Sequence, residues 1–518
     1  MDYFEEFVKA MLAGEAGSRD EVLRLKARLC KKHRLSRVPT NHEILARVPP
    51  EARARLVPLL RNKPVRTLSG VAPVAVMTSP SECPHGRCSY CPGGTSENTP
   101  QSYTGQEPAG LRAAMYGYDP FRQTGARIEQ LEAIGHPTDK VDLIIMGGTF
   151  TSRPPEYQEW FVRRCFDAMN ASESGDLRSA QGLNEVAEHR CVGLTVETRP
   201  DWFMEEQVRR SIDLGATKVE LGAQILDDEV LAGVRRGHTV GDLVQATRRA
   251  KEAGLKLAYH VMPGLPGSSR EKDLASFRHM FDDDRFRPDM LKIYPTLVIK
   301  GTELYDAWIR GEYTPLSVEE TVDLLADMKR HVPSWVRILR VQRDIPVKKI
   351  EAGADKSHLR ELVVRRLKEQ GAPCRCIRCR EVGHASGGRA LAAAEIELKD
   401  TAYSASGGKE HFVSADVTSS DTLVGYARIR LPGEGMQDEA LLRELHVYGQ
   451  MVPIGERQDG HWQHKGIGEK LLAHSEQIAV DAGLARLRVT SGVGARQYYA
   501  RLGYSRDGPY MSKRVSHA

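Results

Sequence analysis

The sequence predicts an α/β protein in three folded parts: a small amino-terminal helical domain, a partial (β/α) barrel, and a carboxyl-terminal mixed α/β module. Three observations carry this. From about residue 76, short β-branched stretches alternate with helical ones, which implies a parallel sheet, open or closing into a partial barrel. Before that point the apolar spacing is helical, and near the carboxyl end two strands lead into a glycine-rich turn and a helix. At 518 residues the chain is also too long for a single core.

Taken in order, Phe4, Phe7, Val8 and Met11, then Val22, Leu23, Leu25 and Leu29, recur at helical spacing within residues 1–75. Asn41 is placed to cap a helix ending near Arg47, and Pro49-Pro50 opens the next. The barrel is expected over residues 76–359, with strands at 141–146, 191–197, 218–221, 256–261, 290–294 and 336–341. Helices are expected at 202–214 and 240–253. In such a sheet, ligands sit at the carboxyl ends of the strands. A basic, cysteine-bearing connector spans 360–392, and the mixed module spans 393–518. Its strands are expected at 423–431, 441–447 and 487–490, and its helix starts at about Ile467.

Hydrophobic content of 41% and charge of 28% are ordinary for a globular chain. No run of eighteen apolar residues supports a membrane span. The acidic start lacks an apolar signal stretch, so a cytoplasmic protein without a membrane partner is expected. Thirteen Lys/Arg lie between Arg24 and Arg66 against two acids, Glu43 and Glu51. A charge run is often a solvated face. Its concentration in one segment points instead to a polyanion footprint, with Lys31, Lys32, Arg34 and Arg37 as candidates.

Six of the nine cysteines form two tight clusters, at 83/88/91 and 374/376/379, a pattern that points to metal in a reducing compartment. Cys30, Cys165 and Cys191 stand alone and read as buried thiols. Cys83-x4-Cys88-x2-Cys91 can hold three irons of a cubane cluster and leave the fourth open. On spacing alone, structural zinc with His85 as fourth ligand and an exposed redox thiol pair remain open. Gly147-Gly148-Thr149-Phe150 follows one expected strand and suits close approach of a ligand to the backbone. Glu197 ends another, where it can bind a ribose hydroxyl, and the loop after His260 follows a further one.

In the last module, Gln463-His464-Lys465-Gly466-Ile467-Gly468 precedes a helix whose free N–H groups can cradle a pyrophosphate. Tyr498 and Tyr499 follow downstream, and only one of two adjacent helical residues can face the same site.

At successive strand ends, the cysteine triplet, Tyr90, Gly147-Gly148 and Glu197 resemble the radical S-adenosylmethionine superfamily, although the x4 spacing departs from its commonest form. Gln463-x-x-Gly466-x-Gly468 and the Tyr498-Tyr499-x-x-x-Gly503-Tyr504 run resemble the GNAT acetyltransferases. Residues 63–70, 91–94, 101–105, 197–201, 292–299, 340–346 and 444–449 together resemble the family of the Elongator catalytic subunit, in its bacterial or archaeal form.

That resemblance implies an enzyme that converts the wobble uridine of tRNA, position 34, to 5-carboxymethyluridine. It implies a [4Fe–4S] cluster on Cys83, Cys88 and Cys91, S-adenosylmethionine, acetyl-CoA as co-substrate and an electron donor. In the implied mechanism a 5′-deoxyadenosyl radical activates the acetyl methyl, the carbon radical joins C5 of the uridine, and thioester hydrolysis follows. The resemblance also implies a structural zinc at Cys374, Cys376 and Cys379, for which His384 is the nearest fourth ligand; a metal-free thiol cluster is the alternative. Two other functions compete: a protein lysine acetyltransferase and a tRNA-binding scaffold that hydrolyses acetyl-CoA. The basic segment argues against the first and the intact cysteine, glycine and Glu197 set against the second. The oligomeric state, a homodimer included, is left open.

Overall fold

Alternation within the barrel strands explains most of the architecture. In the computed structural model, which describes residues 1–516 except 64, 65, 68, 386–395, 434–437 and 449–465 and the side chains of 54, 384 and 385, strands β1 (Ala72–Met77), β2 (Lys140–Met146), β3 (Arg190–Thr198), β4 (Lys218–Gln224), β5 (Lys256–Val261) and β6 (Met290–Ile293) lie side by side. A short β7 (Val298–Ile299) leaves the sheet, and β8 (Arg337–Arg340) completes it; β9 (Ile350–Ala352) pairs with β7. All six ladders of the seven-stranded sheet are parallel and run in chain order. The intervening helices cover its outer face as a partial barrel. Parallel strands buried on both faces usually read as unbroken apolar runs. Here Leu143, Ile145, Leu194, Val196, Val219, Leu221, Leu257 and Tyr259 pack outwards into the main core. Between them stand Asp142, Thr195, Glu197, Lys218, Glu220 and His260. Because side chains alternate across a strand, these polar residues share the inner face.

The amino-terminal helices Tyr3–Leu12, Arg19–Lys32, Asn41–Leu45 and Pro50–Leu60 form a separate small core around Phe7, Leu25, Leu29, Ile44 and Leu56. Capping boxes start the first three, from Asp2, Ser18 and Thr40. Asn41 is therefore the first helical residue and not the cap; its side chain accepts from Lys26 Nζ at 2.8 Å and donates to Leu60 O. That helix ends at Leu45, before Arg47. The helix expected from Trp202 begins at Glu205, because Pro200–Trp202 form a separate 3-10 turn. Strand β1 crosses residue 75 and pairs with β2, so its chain joins the barrel without a break.

A second seven-stranded sheet contains β10 (Ile396–Ala405), β11 (Gly408–Val417), β12 (Thr422–Leu431), β13 (Ala440–Val447), β14 (Arg486–Val489), β15 (Ser505–Asp507) and β16 (Tyr510–Arg514). Its ladders are antiparallel except for β13 with β14. The helix Ile467–Asp481 packs on one face.

This module meets the amino-terminal ends of the barrel strands. A Cβ on Gly492 would lie 2.2 Å from the Val192 carbonyl near the start of β3. The hydroxyl of Tyr510 donates to Ala253 O at 3.1 Å. At the centre, Asp289, immediately before β6, is fully buried and binds Arg443 of β13. Glu410 of β11 takes Arg443 and Arg430 at 3.1 Å each, and Lys251 lies 3.5 Å from Asp289 and 3.6 Å from Glu410. Arg428 adds a bond to Glu444 at 2.9 Å and one to the Trp335 carbonyl at 2.7 Å. Burial alone would raise the Asp289 carboxyl, but Arg443, Lys251 and Arg428 hold it well below its ordinary range. Burial pulls Lys251 down to about 8 against the same two acids.

Removing one member of such a cluster strands buried charge. Asp289→Ala is expected to lower the unfolding free energy of the joined modules by about 3–5 kcal/mol in chemical denaturation. A loss of under about 1 kcal/mol would mean that apolar contacts alone hold the modules together.

Candidate active site

The cysteine triplet lies on the loop after β1, at the carboxyl rim of the barrel. Cys88 and Cys91 are buried and Cys83 is partly exposed. The loop is pinned on all sides. Cys83 N donates to Gln101 Oε1 at 2.9 Å, Ser89 N to Val234 O at 3.1 Å, and Arg87 Nε to Cys91 O at 3.0 Å. Each sulphur has a polar neighbour: Thr149 Oγ1 at 3.4 Å from Cys83, His85 Nε2 at 3.1 Å from Cys88, and Ser102 Oγ at 3.2 Å from Cys91. The Arg236 guanidinium stands 3.8 Å from the Cys88 sulphur. Burial, then Cys88, pushes the Cys91 thiol up to about 11, so a bound cation is what would favour its thiolate.

The spacing of the sulphurs distinguishes the two cysteine clusters. Among the described residues, Cys374, Cys376 and Cys379 bring their sulphurs within 4.8 Å of one another. That suits one ion, since zinc–sulphur bonds of about 2.3 Å put tetrahedral ligands about 4 Å apart. The 83/88/91 sulphurs are more widely spread, as ligands to separate irons of one cluster must be. The donor set and its spacing therefore fit an iron–sulphur cluster at the rim and a single ion at the second cluster. His384 lies on the short helix Val382–Ala385, and its side chain is outside the described residues.

Below the triplet, a cavity of about 310 Å³ runs into the barrel, within the usual size range of small-ligand sites. Its chemistry centres on Lys292 of β6, buried between Glu197, at 3.3 Å, and Glu220, in closer contact. The Tyr103 hydroxyl donates to Glu197 Oε2 at 2.6 Å, and His260 Nε2 lies 2.9 Å from Glu220. Burial opposes these charges, yet Lys292 and His260 keep Glu220 well below the ordinary carboxylate range. Burial and Lys292 together depress His260, leaving a neutral imidazole facing the cavity. Glu197, Glu220 and His260 also converge at metal-ligand distance; the Lys292 ammonium already supplies the cation there. Glu197 thus reaches the rim with both oxygens engaged, and a ribose hydroxyl would share them.

Gly147 and Gly148 line the same cavity with φ of +125° and +96°. A Cβ on Gly147 would fall 2.1 Å from Thr78 Oγ1, whereas one on Gly148 would meet only Gln101 O, at 3.4 Å. The first glycine is required by packing against the loop after β1, and the second leaves room beside the ligand space.

The other candidate site is an opening between β13 and β14. The ladder between these strands runs over Ala440–Leu442. The helix Ile467–Asp481 starts beside the opening from Gly466, at φ +76°, with no side-chain cap. Among the described residues no side chain caps its first N–H groups, and a helix start of this kind suits a phosphate. A Cβ on Gly468 would lie 2.9 Å from the Tyr498 hydroxyl and 3.8 Å from Val447. Tyr498 thus borders the helix start. Tyr499 is buried in the module's core, 5.7 Å from Tyr504 ring to ring. Burial and Glu469 raise the Tyr498 phenol to about 12. Gln463, His464 and Lys465 lie outside the described residues.

Of the basic candidates, Lys31 and Arg34 are exposed. Lys32 pairs with Glu6 at 2.5 Å and Arg37 with Glu43. Lys26 and Arg61 turn inwards, to Asn41 and to the Gly135 carbonyl. The free charge of this face is smaller than the residue count suggests. Tyr103, Glu220, Lys292 and Arg236 were not singled out from the sequence. A lysine and an acid inside apolar strands, as in Lys218-Val-Glu220-Leu, were the available signal.

Both Gly147→Ala and Gly148→Ala place a side chain at positive φ, but only the first also collides with Thr78. Gly147→Ala is expected to lose about 1–3 kcal/mol more stability than Gly148→Ala in matched thermal melts. Equal losses would leave the Thr78 contact without weight.

Four stretches of the chain match known protein families. Residues 1–68 match the ELP3 N-terminal domain, 78–278 the Radical SAM superfamily, 288–369 the Radical SAM C-terminal domain and 358–504 the acetyltransferase (GNAT) family. The chain is 48% identical to a tRNA uridine(34) acetyltransferase of Methanocaldococcus jannaschii, over 96% of this chain and 95% of that one. It is 42% identical to Elongator complex protein 3 of Schizosaccharomyces pombe, over 98% and 97%. Among solved structures, the archaeal Methanocaldococcus infernus Elp3 with an N-terminal deletion matches with a TM-score of 0.76 and 45% identity, covering 86% of this chain and 100% of that one. With identity at this level along nearly the whole chain, the protein belongs to the family of tRNA uridine(34) acetyltransferases and Elongator complex protein 3.

Proposed function

We propose that this chain builds 5-carboxymethyluridine at the wobble position of tRNA. The observation that carries the reading is the joint presence, in one chain, of a thiol triplet above a polar barrel cavity and a helix start suited to phosphate beside Tyr498. Acetylation of nitrogen or oxygen would need only the second. When bound, the iron–sulphur cluster with S-adenosylmethionine supplies a 5′-deoxyadenosyl radical, which can activate an unactivated methyl group.

The chain's own residues take distinct roles in this reading. Cys83, Cys88 and Cys91 hold the cluster, and Ser102, Thr149 and Arg236 screen the charge of their sulphurs. Gly148 and Glu197 border the S-adenosylmethionine, with Tyr103 and Lys292 fixing the Glu197 carboxylate. Gly466, Ile467 and Gly468 present backbone N–H groups to the acetyl-CoA pyrophosphate, joined by Gln463, His464 and Lys465. Tyr498 stands at the thioester end, where its phenol, protonated at neutral pH, can protonate the leaving thiolate. Cys374, Cys376, Cys379 and His384 hold a structural zinc beside Lys329, whose ammonium lies 3.8 Å from the Cys379 sulphur. Lys31 and Arg34 lead the tRNA-binding face. An external electron donor is required, and a reducing, cytoplasmic setting keeps the thiols available.

Anaerobic turnover with tRNA, S-adenosylmethionine, reductant and acetyl-CoA separates the two sites. Cys88→Ala is expected to abolish cluster absorbance and 5′-deoxyadenosine. Gly466→Glu should lose acetyl-CoA binding by calorimetry but still cleave S-adenosylmethionine. Wild-type modified-nucleoside yields in either variant would refute the corresponding assignment.

Phosphate contacts make nucleic-acid binding fall steeply with salt. Lys31→Ala with Arg34→Ala should weaken tRNA binding and flatten its log–log salt slope by about 1–2. An unchanged slope would return these residues to an ordinary solvated surface.

A further inference from the structure

Beside the thiol triplet, Arg236 is a buried cation that no acid answers. It is 8% exposed. Among the described residues its hydrogen bonds go only to the Gly222 carbonyl, at 3.2 Å, and to the Cys88 sulphur, at 3.8 Å, and its Nε has no partner. The neighbouring Arg199 is different: Asp201 takes two of its nitrogens, at 3.0 and 2.7 Å, and the third donates to the Arg236 carbonyl at 2.6 Å. Arg199 is thus neutralised and fixes the backbone of Arg236. A guanidinium taken out of water without a carboxylate demands some other anion.

The fold builds a seat for this group. Ser89 N donates to the Val234 carbonyl, so the segment after the helix Asp228–Gly233 lies against the cysteine loop. The approach is close: a Cβ on Gly237 would stand 2.8 Å from His85 Cβ. A Cβ on Gly222 of β4 would fall 2.2 Å from Arg236 Nη2, so a larger residue there would displace the guanidinium. Gly222 and Arg236 both line the rim cavity. On the two facing segments, His85 Nδ1, Ser89 Oγ, the Tyr90 hydroxyl and both His238 nitrogens are buried without hydrogen-bond partners. Burial opposes the Arg236 charge, while Tyr90, Cys88 and Cys83 favour it. Burial also pushes the Tyr90 phenol far above its ordinary value, which leaves the thiolates as the anions.

We propose that Arg236 is the fixed counter-cation of the iron–sulphur cluster and raises its reduction potential. This rests on the functional reading above and names the residue that governs how readily the electron donor acts. A cluster held by thiolates is anionic, and reduction makes it more so. A cation that cannot move away therefore stabilises the reduced form more than the oxidised one. The donor loses one electron and the cluster gains it. No bond forms or breaks, and the guanidinium neither takes nor gives a proton. Arg236 is a positioning residue in this role, since it acts through the Cys88 sulphur.

The test separates charge from packing. Arg236→Gln removes the charge and keeps a hydrogen-bond donor, and Arg236→Lys keeps the charge. Each full-length chain is loaded anaerobically with iron and sulphide. Its reduced fraction is then read by electron paramagnetic resonance over a series of solution potentials, without S-adenosylmethionine. At the potential that half-reduces wild type, Arg236→Gln is expected to show a reduced-to-oxidised ratio about tenfold lower, a downward shift of about 59 mV for a one-electron couple. Arg236→Lys should stay within about threefold of wild type. A loaded Arg236→Gln within about twofold of wild type would overturn the proposal. So would unchanged potential with lost S-adenosylmethionine affinity in calorimetry, which would make Arg236 a ligand of that molecule's carboxylate. Should Arg236→Gln take up no iron, Arg236→Lys decides: wild-type iron content and ratio support the counter-cation, and loss of iron there too overturns it. A loaded wild type that forms no modified uridine would overturn the functional reading and leave the potentials standing.

Discussion

The arrangement of this protein depends on one buried knot of charge. Asp289 and Glu410 face Arg443, Arg430, Arg428 and Lys251 where no water reaches them. Such a knot is a weak source of net stability, because removing charge from water costs nearly what pairing returns. It is a strong source of specificity, since any slip between the modules would leave several ions unpaired in a low dielectric. Asp289 also accepts the Leu257 N–H at 2.8 Å and, through its backbone, the Arg337 N–H at 3.0 Å. The same residue therefore fixes three adjacent barrel strands and the module beneath them. A chemistry that divides its labour between two sites needs that fixed relation.

The second constraint is the inward polarity of the barrel strands. Their outer faces bury Leu, Val and Ile beneath helices, which supplies the driving force for folding. Their inner faces then need not supply it, and they carry Glu197, Lys292, Glu220, Lys218 and Lys256 instead. Each of these charges has an opposite neighbour within the barrel, as buried ions require. A site of this kind holds its dipoles in place before any ligand arrives.

Much of this was legible in the sequence. The strand at Lys256–Val261 was read to the residue, because its apolar run is bounded by Gly254 and Pro263. The cap at Thr40 was also readable, since Glu43 three positions on completes a capping box; Asn41, an equally good capping type, drew the assignment away. The late start at Glu205 was signalled by the paired acids of the first turn. Other features were not local. Strand β10 has a mostly polar, solvent-facing pattern and no apolar run to announce it. Tyr498 and Tyr499 are indistinguishable as neighbours in a chain, and only the packing of Gly468 against one hydroxyl separates them. The partners of Glu197 come from three distant segments, at Tyr103, Lys292 and, through Lys292, Glu220. Their convergence follows from the closure of the sheet, which no single stretch of sequence encodes.

The central claim is that both carbons of the acetyl group end on carbon 5 of a wobble uridine, by joint use of the two sites. The most direct measurement is nucleoside mass spectrometry of tRNA after anaerobic turnover with doubly carbon-13-labelled acetyl-CoA. The account requires a carboxymethylated uridine at position 34 carrying both labelled carbons, formed only when S-adenosylmethionine and reductant are present. Label in acetylated nitrogen or oxygen, on tRNA or protein and independent of S-adenosylmethionine, would contradict it.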